Sequence, residues 1–129
     1  MAQAIIDCQM QDDEGRGFWT QSMLQNYPTG NNGNDWGYET SGTAFLTYGL
    51  FWGLNNGMLD EDTYLEPALR GWKYLSEVAL QNNGKVGYVQ AIGSNATSAT
   101  AQGSDQPFGY GAFLLAGCEA SRWVDGFTE

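Results

Sequence analysis

The sequence predicts an all-α fold, a partial α/α toroid of about four helices with short extended pieces and long loops. Three observations support this prediction. An apolar helix without a polar face is predicted over about residues 40–55, and an amphipathic helix follows it. The elements around the first helix then recur in the same order further along the chain. Alternating buried and one-sided helices are typical of an inner ring wrapped by an outer ring.

The composition limits the classes of function. The chain has 129 residues, of which 42% are hydrophobic and 14% aromatic, and this suits one soluble folded domain over residues 1–129. Fifteen acidic residues against five basic ones give a net charge of −10. Neither nucleic acid nor an anionic membrane surface is expected as a partner. No apolar run is long enough to span a bilayer, no secretion signal is visible, and the compartment stays open.

The first elements are short. Residues 1–11 are interpreted as the last turns of a helix, with Ile5 and Cys8 on one face. An acidic turn follows at residues 12–17, and Phe18–Gln21 is predicted to be extended. A loop rich in Asn, Gly and Pro then covers residues 25–37.

The first inner helix is predicted from about Thr40 to Asn55. Thr40 or Ser41 can cap its free N–H groups, and Gly57 follows as a stop. Because its apolar residues occur nearly all the way round, we expect it to be covered on all sides.

The next helix, between Asp62 and Leu80, has one apolar stripe and one charged face, as an outer helix would. Its charged face contains the i,i+4 pairs Glu66–Arg70 and Lys73–Glu77. Pro67 predicts that the regular part begins only near Glu66.

The pattern then repeats. A second extended piece covers residues 86–90, a loop of small residues covers 93–107, and a last helix is predicted over about residues 108–123. The start of this helix aligns with residues 41–49 at an offset of 68, since 109 − 41 = 68. Chance similarity between two apolar helices is the alternative.

In such a ring, the loop before each inner helix opens on one end of the toroid. Glu39, Thr40 and Ser41 are therefore predicted at the rim of a central funnel, with the apolar helix forming the wall below. Helix capping alone also explains these polar residues.

The chain offers little conventional catalytic chemistry. It contains no histidine, and Cys8 and Cys118 lie near opposite ends, so we expect no zinc site and no other cofactor. Two buried free thiols are favoured over a disulfide, which would need an oxidising compartment. The acidic residues at 12–14 are expected to be a solvated turn, and Asp105 is expected to cap or precede the last helix.

Several motifs carry a family resemblance. They are Gly-Phe-Trp-Thr-Gln at 17–21, Tyr-Glu-Thr-Ser-Gly-Thr-Ala-Phe-Leu-Thr-Tyr-Gly-Leu at 38–50, Gly-Met-Leu-Asp at 57–60, Gly-Lys-Val at 84–86 and Gln-Pro-Phe-Gly-Tyr-Gly-Ala-Phe-Leu-Leu-Ala-Gly at 106–117. The sequence from about Ile5 to Trp123 resembles the C-terminal part of glycoside hydrolase family 105. These are the unsaturated rhamnogalacturonyl and glucuronyl hydrolases. The resemblance implies a six-hairpin (α/α)6 toroid, of which this chain would be the C-terminal part.

The resemblance also implies a reaction. Family members protonate and hydrate the C4=C5 double bond of an unsaturated uronic sugar, and collapse of the hydrated ring releases the neighbouring sugar. The family's acid/base aspartate, histidines and arginine–tryptophan cluster lie upstream of the portion matched here. We therefore expect no catalytic residue in this chain and no activity by it alone.

Seven residues are the candidates for substrate binding: Trp19, Trp36, Glu39, Thr40, Ser41, Gln90 and Gln106. Aromatic rings can stack on a sugar, but a core position is an equally good interpretation of Trp19. Glutamines, Gln21 among them, can hydrogen-bond sugar hydroxyls or tie down their own loops. Glu39 is not expected to be the sole catalytic acid, because ordinary glycoside hydrolysis uses two carboxylates.

Three functions remain open at this stage. The chain is a portion of a hydrolase acting on an oligosaccharide, or a non-catalytic sugar-binding or structural remnant, or part of another toroid enzyme such as an epimerase. The last would need histidine bases. Because ring-wall helices without neighbours expose apolar patches, we expect a homo-oligomer or an association with a missing N-terminal portion.

Overall fold

A computed structural model describes residues 1–21, 37–93 and 100–126, and the described part is mostly helical. The helices are α1 (Ala2–Asp7), α2 (Thr40–Asn55), α3 (Glu61–Tyr74), which continues as a π-helical turn over Leu75–Ala79, and α4 (Pro107–Asp125). The strands β1 (Met10–Gln11) and β2 (Gly17–Phe18) form an antiparallel pair.

The two helices predicted to be inner ones lie side by side. α2 packs chiefly against α4 and then against α3, whereas α3 and α4 barely meet. Near the C-terminal ends of α2 and α4, the Asn55 side-chain amide donates to the Glu119 carbonyl at 2.9 Å. At the other end both helices begin beside residues 86–90, because Thr40 N donates to Tyr88 O at 2.9 Å and Gly109 abuts Val89. The helices therefore run in the same direction, with α3 outside α2.

Small residues allow α4 to approach its neighbours. Its buried face consists mainly of Gly109, Ala112, Ala116 and Ala120. A Cβ added at Gly109 would lie 2.5 Å from Cγ2 of Val89, so only glycine fits there. The separation of packed helices depends on the side chains between them, so these small residues let α4 lie close to its neighbours.

The prediction that α2 is covered on all sides is wrong for one of its faces. Phe45 remains 49% exposed, and Gly49 and Trp52 share its open side. On α4, Leu114 is 63% exposed and Leu115 lies beside it on the surface. Both inner helices thus present apolar side chains that nothing in the described part of the chain covers.

The first residues differ from the prediction in their local structure. The helix ends at Asp7, and β1 replaces the rest of the predicted helical segment. The hairpin turn explains this, because the Asp12 carboxylate accepts hydrogen bonds from the backbone N–H groups of Glu14 and Arg16, both at 3.0 Å. Gly15 supplies the positive φ of 72° that the turn requires.

Helix α3 begins earlier than Pro67 predicted. Asp60 is its N-cap and accepts a hydrogen bond from Thr63 N at 2.9 Å. Pro67 lies inside the helix and is buried, and its carbonyl accepts a hydrogen bond from the Gln9 side chain at 2.9 Å. Capping and burial therefore outweigh the loss of one helix hydrogen bond at proline.

The charged face of α3 was predicted only in part. Glu66 and Arg70 pair at 3.5 Å, as expected. Lys73 instead donates to the Glu14 carbonyl at 2.8 Å, and Glu77 lies 3.9 Å from Arg16. Lys73 and Glu77 were predicted to pair with each other, but each contacts a residue of the hairpin turn instead.

Candidate functional site

The N-terminus of α2 is capped by Glu39, not by Thr40 or Ser41 as the sequence predicted. One Glu39 carboxylate oxygen accepts from Gly42 N at 2.7 Å. The other accepts from Ser41 N at 3.2 Å and from Ser41 Oγ at 2.8 Å. Glu39 is only 7% exposed. A negative group at the positive end of a helix is stabilised by the helix dipole as well as by these hydrogen bonds.

Glu39 also fixes the second extended piece against the start of α2. The carboxylate oxygen that binds Ser41 accepts a further hydrogen bond from Gln90 N at 3.2 Å. Two residues before Gln90, Tyr88 has a φ of 58°. This left-handed conformation costs energy in a residue with a side chain. Residues 88–90 are thus held in an unusual backbone geometry beside the helix start.

A pocket of about 290 Å³ opens at this end of the inner helices. We call it the mouth pocket; its lining residues are Gln21, Glu39, Ser41, Gln90, Ala91, Ile92, Gly93 and Phe108. Three of the seven substrate-binding candidates, Glu39, Ser41 and Gln90, therefore come together around one cavity. Phe108 and Ile92 had no sequence signal as ligand contacts.

The other candidates lie elsewhere. Trp19 is a core residue, 1% exposed, its indole N–H donates to the Ile5 carbonyl at 2.8 Å, and it is not among the residues that line the mouth pocket. Thr40 is fully buried, and its hydroxyl is hydrogen-bonded to that of Tyr74 at 2.7 Å. Gln106 is the N-cap of α4 and is not among the residues that line the mouth pocket. Trp36 lies outside the described residues.

A cluster of aromatic rings packs behind the start of α2. The ring centroids of Tyr38 and Tyr74 are 4.8 Å apart, those of Tyr38 and Tyr88 5.2 Å, and those of Phe18 and Tyr38 4.8 Å. Burial raises the pKa of Tyr74 far above its ordinary value. Burial, and then the charge of Asp12, also raise the pKa of Tyr38. Both phenols therefore stay neutral, and the cluster gives the first turn of α2 a rigid, uncharged support.

Asp12 is not the solvated group that its turn suggested. The Arg16 Nε donates to its carboxylate at 2.6 Å, and the Tyr38 hydroxyl donates to it at 3.2 Å. Burial works against ionisation of Asp12, but the hydrogen bonds from Arg16 and Glu14 outweigh it and lower the pKa of the carboxyl group. Through its hydrogen bonds to Arg16 and Tyr38, Asp12 attaches the hairpin turn to the aromatic cluster.

Asp105 precedes α4, as expected. It accepts a hydrogen bond from the Tyr110 hydroxyl at 2.8 Å and pairs with Lys85 at 3.4 Å. Neither Asp12 nor Asp105 lines the mouth pocket.

In the described part of the chain, the thiols and the acidic side chains are not grouped as metal ligands. Within residues 1–21, 37–93 and 100–126, no group of three His, Cys, Asp or Glu side chains is placed to hold a metal ion. Cys8 and Cys118 are both free thiols, but Cys118 is exposed and Cys8 half-buried, so the expectation that both are buried is wrong. Among the helices in these ranges, none is long and apolar enough to cross a membrane.

Comparison with known proteins identifies the family. The sequence profile described as Glycosyl Hydrolase Family 88 matches residues 1–124. The chain belongs to this family. Among curated family relatives, an "Unsaturated 3S-rhamnoglycuronyl hydrolase" of Formosa agariphila is 42% identical over 125 residues, which are 95% of this chain and 29% of the relative. A protein of the same name from an Alteromonas species is 36% identical over 85 residues, 66% of this chain and 20% of the relative.

Solved structures agree with the fold. A polysaccharide lyase superimposes with a TM-score of 0.81 and 46% identity, over 99% of this chain and 34% of the lyase. A glycosyl hydrolase family 88 protein from Bacteroides vulgatus superimposes with a TM-score of 0.79 and 42% identity, over 95% of this chain and 33% of that protein. The chain is thus part of an (α/α)6 toroid and spans about a third of the length of these relatives.

Proposed function

We propose that residues 1–129 form one domain, the C-terminal portion of a hydrolase that acts on unsaturated uronic-acid oligosaccharides of the kind grouped in glycoside hydrolase family 105. The observation that carries the proposal is the mouth pocket, which lies where two parallel inner helices begin and which contains Glu39, Ser41 and Gln90. The names of the curated relatives support this substrate class.

In this proposal the chain contributes a binding wall and not the catalytic acid. A general acid must carry a proton and reach the reacting atom. Glu39 is unsuited to this role, because its two oxygens accept four hydrogen bonds from N–H and O–H groups. The proton that adds to the C4=C5 double bond therefore comes from the remainder of the toroid. Water completes the hydration, and opening of the hydrated ring releases the neighbouring sugar, which this chain helps to hold.

A turnover assay tests the proposal. The substrate is a purified unsaturated disaccharide, and the readout is loss of absorbance of its double bond. The chain is assayed alone, and then mixed with the separately produced N-terminal remainder of the Formosa relative. We expect no turnover from either piece alone and turnover from the mixture. Turnover by the chain alone would contradict the assignment of the acid to the remainder of the ring.

A second candidate function is a non-catalytic carbohydrate-binding or structural remnant of the toroid. The hydrogen bonding of Glu39 favours it, because capping and loop attachment already account for this carboxylate. If the mixture forms a complex but shows no turnover, this second function is supported and the first is refuted.

A further inference from the structure

We propose that this chain assembles head to tail with copies of itself into a closed ring of three, in which the open face of α2 in one copy packs against the open face of α4 in the next. The inference goes beyond the proposed function, which concerns the chain within a longer hydrolase. It rests on a correspondence between the two inner helices, which already pack against each other within one chain. The open faces reproduce the two sides of that interface.

Equivalent positions of α2 and α4 follow from their starts. The N-caps of these parallel helices are Glu39 and Gln106, so the structural offset is 106 − 39 = 67 residues. The sequence repeat gave an offset of 68. With either value, each exposed position of α2 falls on a position of α4 that is not exposed. Repeated units that stack in one assembly use equivalent positions in the same way, so the mismatch in exposure identifies surfaces that a neighbouring unit would cover.

The open face of α2 matches the side of α4 that packs on α2. The exposed residues of α2 form one stripe, Phe45, Gly49 and Trp52. Their equivalents in α4 are all buried: Ala112, Ala116 and Glu119. The two alanines share a core cluster with Ala44 of α2, and Glu119 accepts a hydrogen bond from the Asn55 amide of α2 at 2.7 Å. The stripe on α2 is therefore equivalent to a surface that an inner helix already covers.

The open face of α4 shows the reverse match. The exposed residues between positions 107 and 122 are Pro107, Gly111, Leu114, Leu115, Cys118, Ser121 and Arg122. Their equivalents in α2 are buried or half-buried: Thr40, Ala44, Thr47, Tyr48, Phe51, Leu54 and Asn55. Ala44 and Asn55 contact α4, and Thr47 lies against Gly71 of α3. In the ring, α2 of the next copy takes the place of α4, and its α1 takes the place of α3.

The number of copies follows from the toroid. An (α/α)6 toroid has six inner helices, and the chain provides two of them while spanning 34% and 33% of the two solved relatives. Neighbouring inner helices are turned by about 60° around the ring axis, so one copy covers about 120°. Contacts between two different faces close into a ring when the rotation divides a full turn, which three copies achieve. Because the symmetry axis keeps the helix starts together, the three mouth pockets open at one end of this ring.

The chemistry of the two faces suits this contact. Phe45 and Trp52 on one side and Leu114 and Leu115 on the other bury apolar surface when they meet. Among the exposed residues of these faces, Arg122 is the charged one, and it pairs with Glu119 at 2.7 Å within its own copy. No like charges are therefore brought together by the faces themselves. The net charge of −10 on each copy opposes assembly only at long range, where salt screens it.

Sedimentation equilibrium of complementary variants tests the inference. Phe45→Glu closes the α2 face, and Leu114→Glu closes the α4 face; both positions are exposed, so neither change disturbs the core. We expect wild type to reach three times the mass of the chain, and each variant alone to remain a single chain. An equimolar mixture should form a complex of two chains, because each variant supplies the face that the other lacks. Ile92→Glu, at an exposed apolar position outside both faces, is the control and should reach the threefold mass.

Several results of this experiment would overturn the inference. A wild-type species of two chains, or a variant that associates alone, would mean that a face packs on its own copy. Wild-type masses that rise beyond three chains would mean that the ring does not close. A wild type that stays a single chain, or a mixture that stays monomeric, would mean that the two faces do not meet. The proposed function is judged separately by the turnover assay.

The Cys118 thiol provides a second readout within the native sequence. Cys118 is exposed on the open face of α4, so the next copy should cover it. At a concentration at which wild type has the threefold mass, we expect alkylation of Cys118 to be about tenfold slower than in Phe45→Glu, because only unassembled chains react. Phe45→Glu leaves α4 unchanged, and on dilution the wild-type rate should rise to that of the variant. Equal rates at the high concentration would overturn the assignment of the α4 face.

Discussion

Among single residues, Glu39 links the most parts of the molecule. Its carboxylate binds the first turn of α2, the Ser41 hydroxyl and the backbone of Gln90. The sequence predicted Glu39 just before the first inner helix but did not predict it as the cap of that helix. Ser and Thr are the usual N-cap residues, and only the tertiary contact with Tyr74 shows that Thr40 is buried instead.

Removal of this cap should cost more stability than removal of an ordinary one. We expect Glu39→Ala to lower the free energy of unfolding by about 2 kcal/mol, since a buried charged acceptor with four donors is lost. The control is Asp60→Ala, which removes the exposed N-cap of α3 with its hydrogen bond to Thr63 N, and for it we expect a loss of about 0.5–1 kcal/mol. Urea unfolding of the two variants makes the comparison, and equal losses would refute the special role of Glu39.

The Asp12 carboxylate should make stability depend on pH in the acid range. Its folded-state pKa lies below the ordinary value of 3.8, so its contribution is present above that value. The contribution is lost as the pH falls through the folded-state pKa. Asp12→Asn should therefore be less stable at neutral pH by about 1 kcal/mol and lose less on acidification. Asp13→Asn, in the exposed part of the same turn, is the control. Unfolding curves at several pH values that are parallel for wild type and Asp12→Asn would contradict this.

At the scale of elements, the parallel pair α2 and α4 was the most predictable feature. The predicted bounds of α2, residues 40–55, match the structure, and those of α4 differ by one residue at the start and two at the end. Long apolar periodicity fixes such helices locally. The bounds of α3 and the hairpin were predicted less well, because Pro67 and the residues around Asp12 are stabilised by contacts with distant parts of the chain.

Two glycines in the first turns of α4 test how closely this helix packs against Val89. Gly109→Ala places a methyl group against the buried, β-branched Val89, so we expect a loss of about 1–3 kcal/mol in the free energy of unfolding. Gly111→Ala meets no atom within 4 Å and should gain up to about 1 kcal/mol from helix propensity. Thermal unfolding distinguishes the two signs, and similar effects from both substitutions would argue against tight packing at Gly109.

At the scale of the whole molecule, the open apolar faces of α2 and α4 matter most. Phe45 and Trp52 lie on one face, and Leu114 and Leu115 lie on the other. The sequence predicted that a part of a ring would expose such surface. The sequence could not show which large apolar residues would be exposed. Trp19 and Trp52 are the same residue type, but Trp19 packs in the core and Trp52 is exposed.

These faces predict self-association of the chain. Surfaces of this kind drive association in water, so we expect concentration-dependent oligomers in sedimentation velocity experiments. Phe45→Glu and Leu114→Glu should each shift the equilibrium towards the monomer. Ile92→Glu changes an exposed apolar residue on the pocket rim and should leave it unchanged. A chain that is monomeric at high concentration would contradict the prediction.

The central claim is that this chain is one sector of a closed ring whose two open faces meet the remainder of that ring. Isothermal titration calorimetry of the chain against the separately produced N-terminal remainder of the Formosa relative tests it most directly. The account predicts a one-to-one complex. Phe45→Glu and Leu114→Glu should each weaken it at least tenfold. Glu77→Gln, on the exposed charged side of the outer helix, should leave its affinity unchanged. Absence of a complex, or a complex that all three variants form as tightly as wild type, would contradict it.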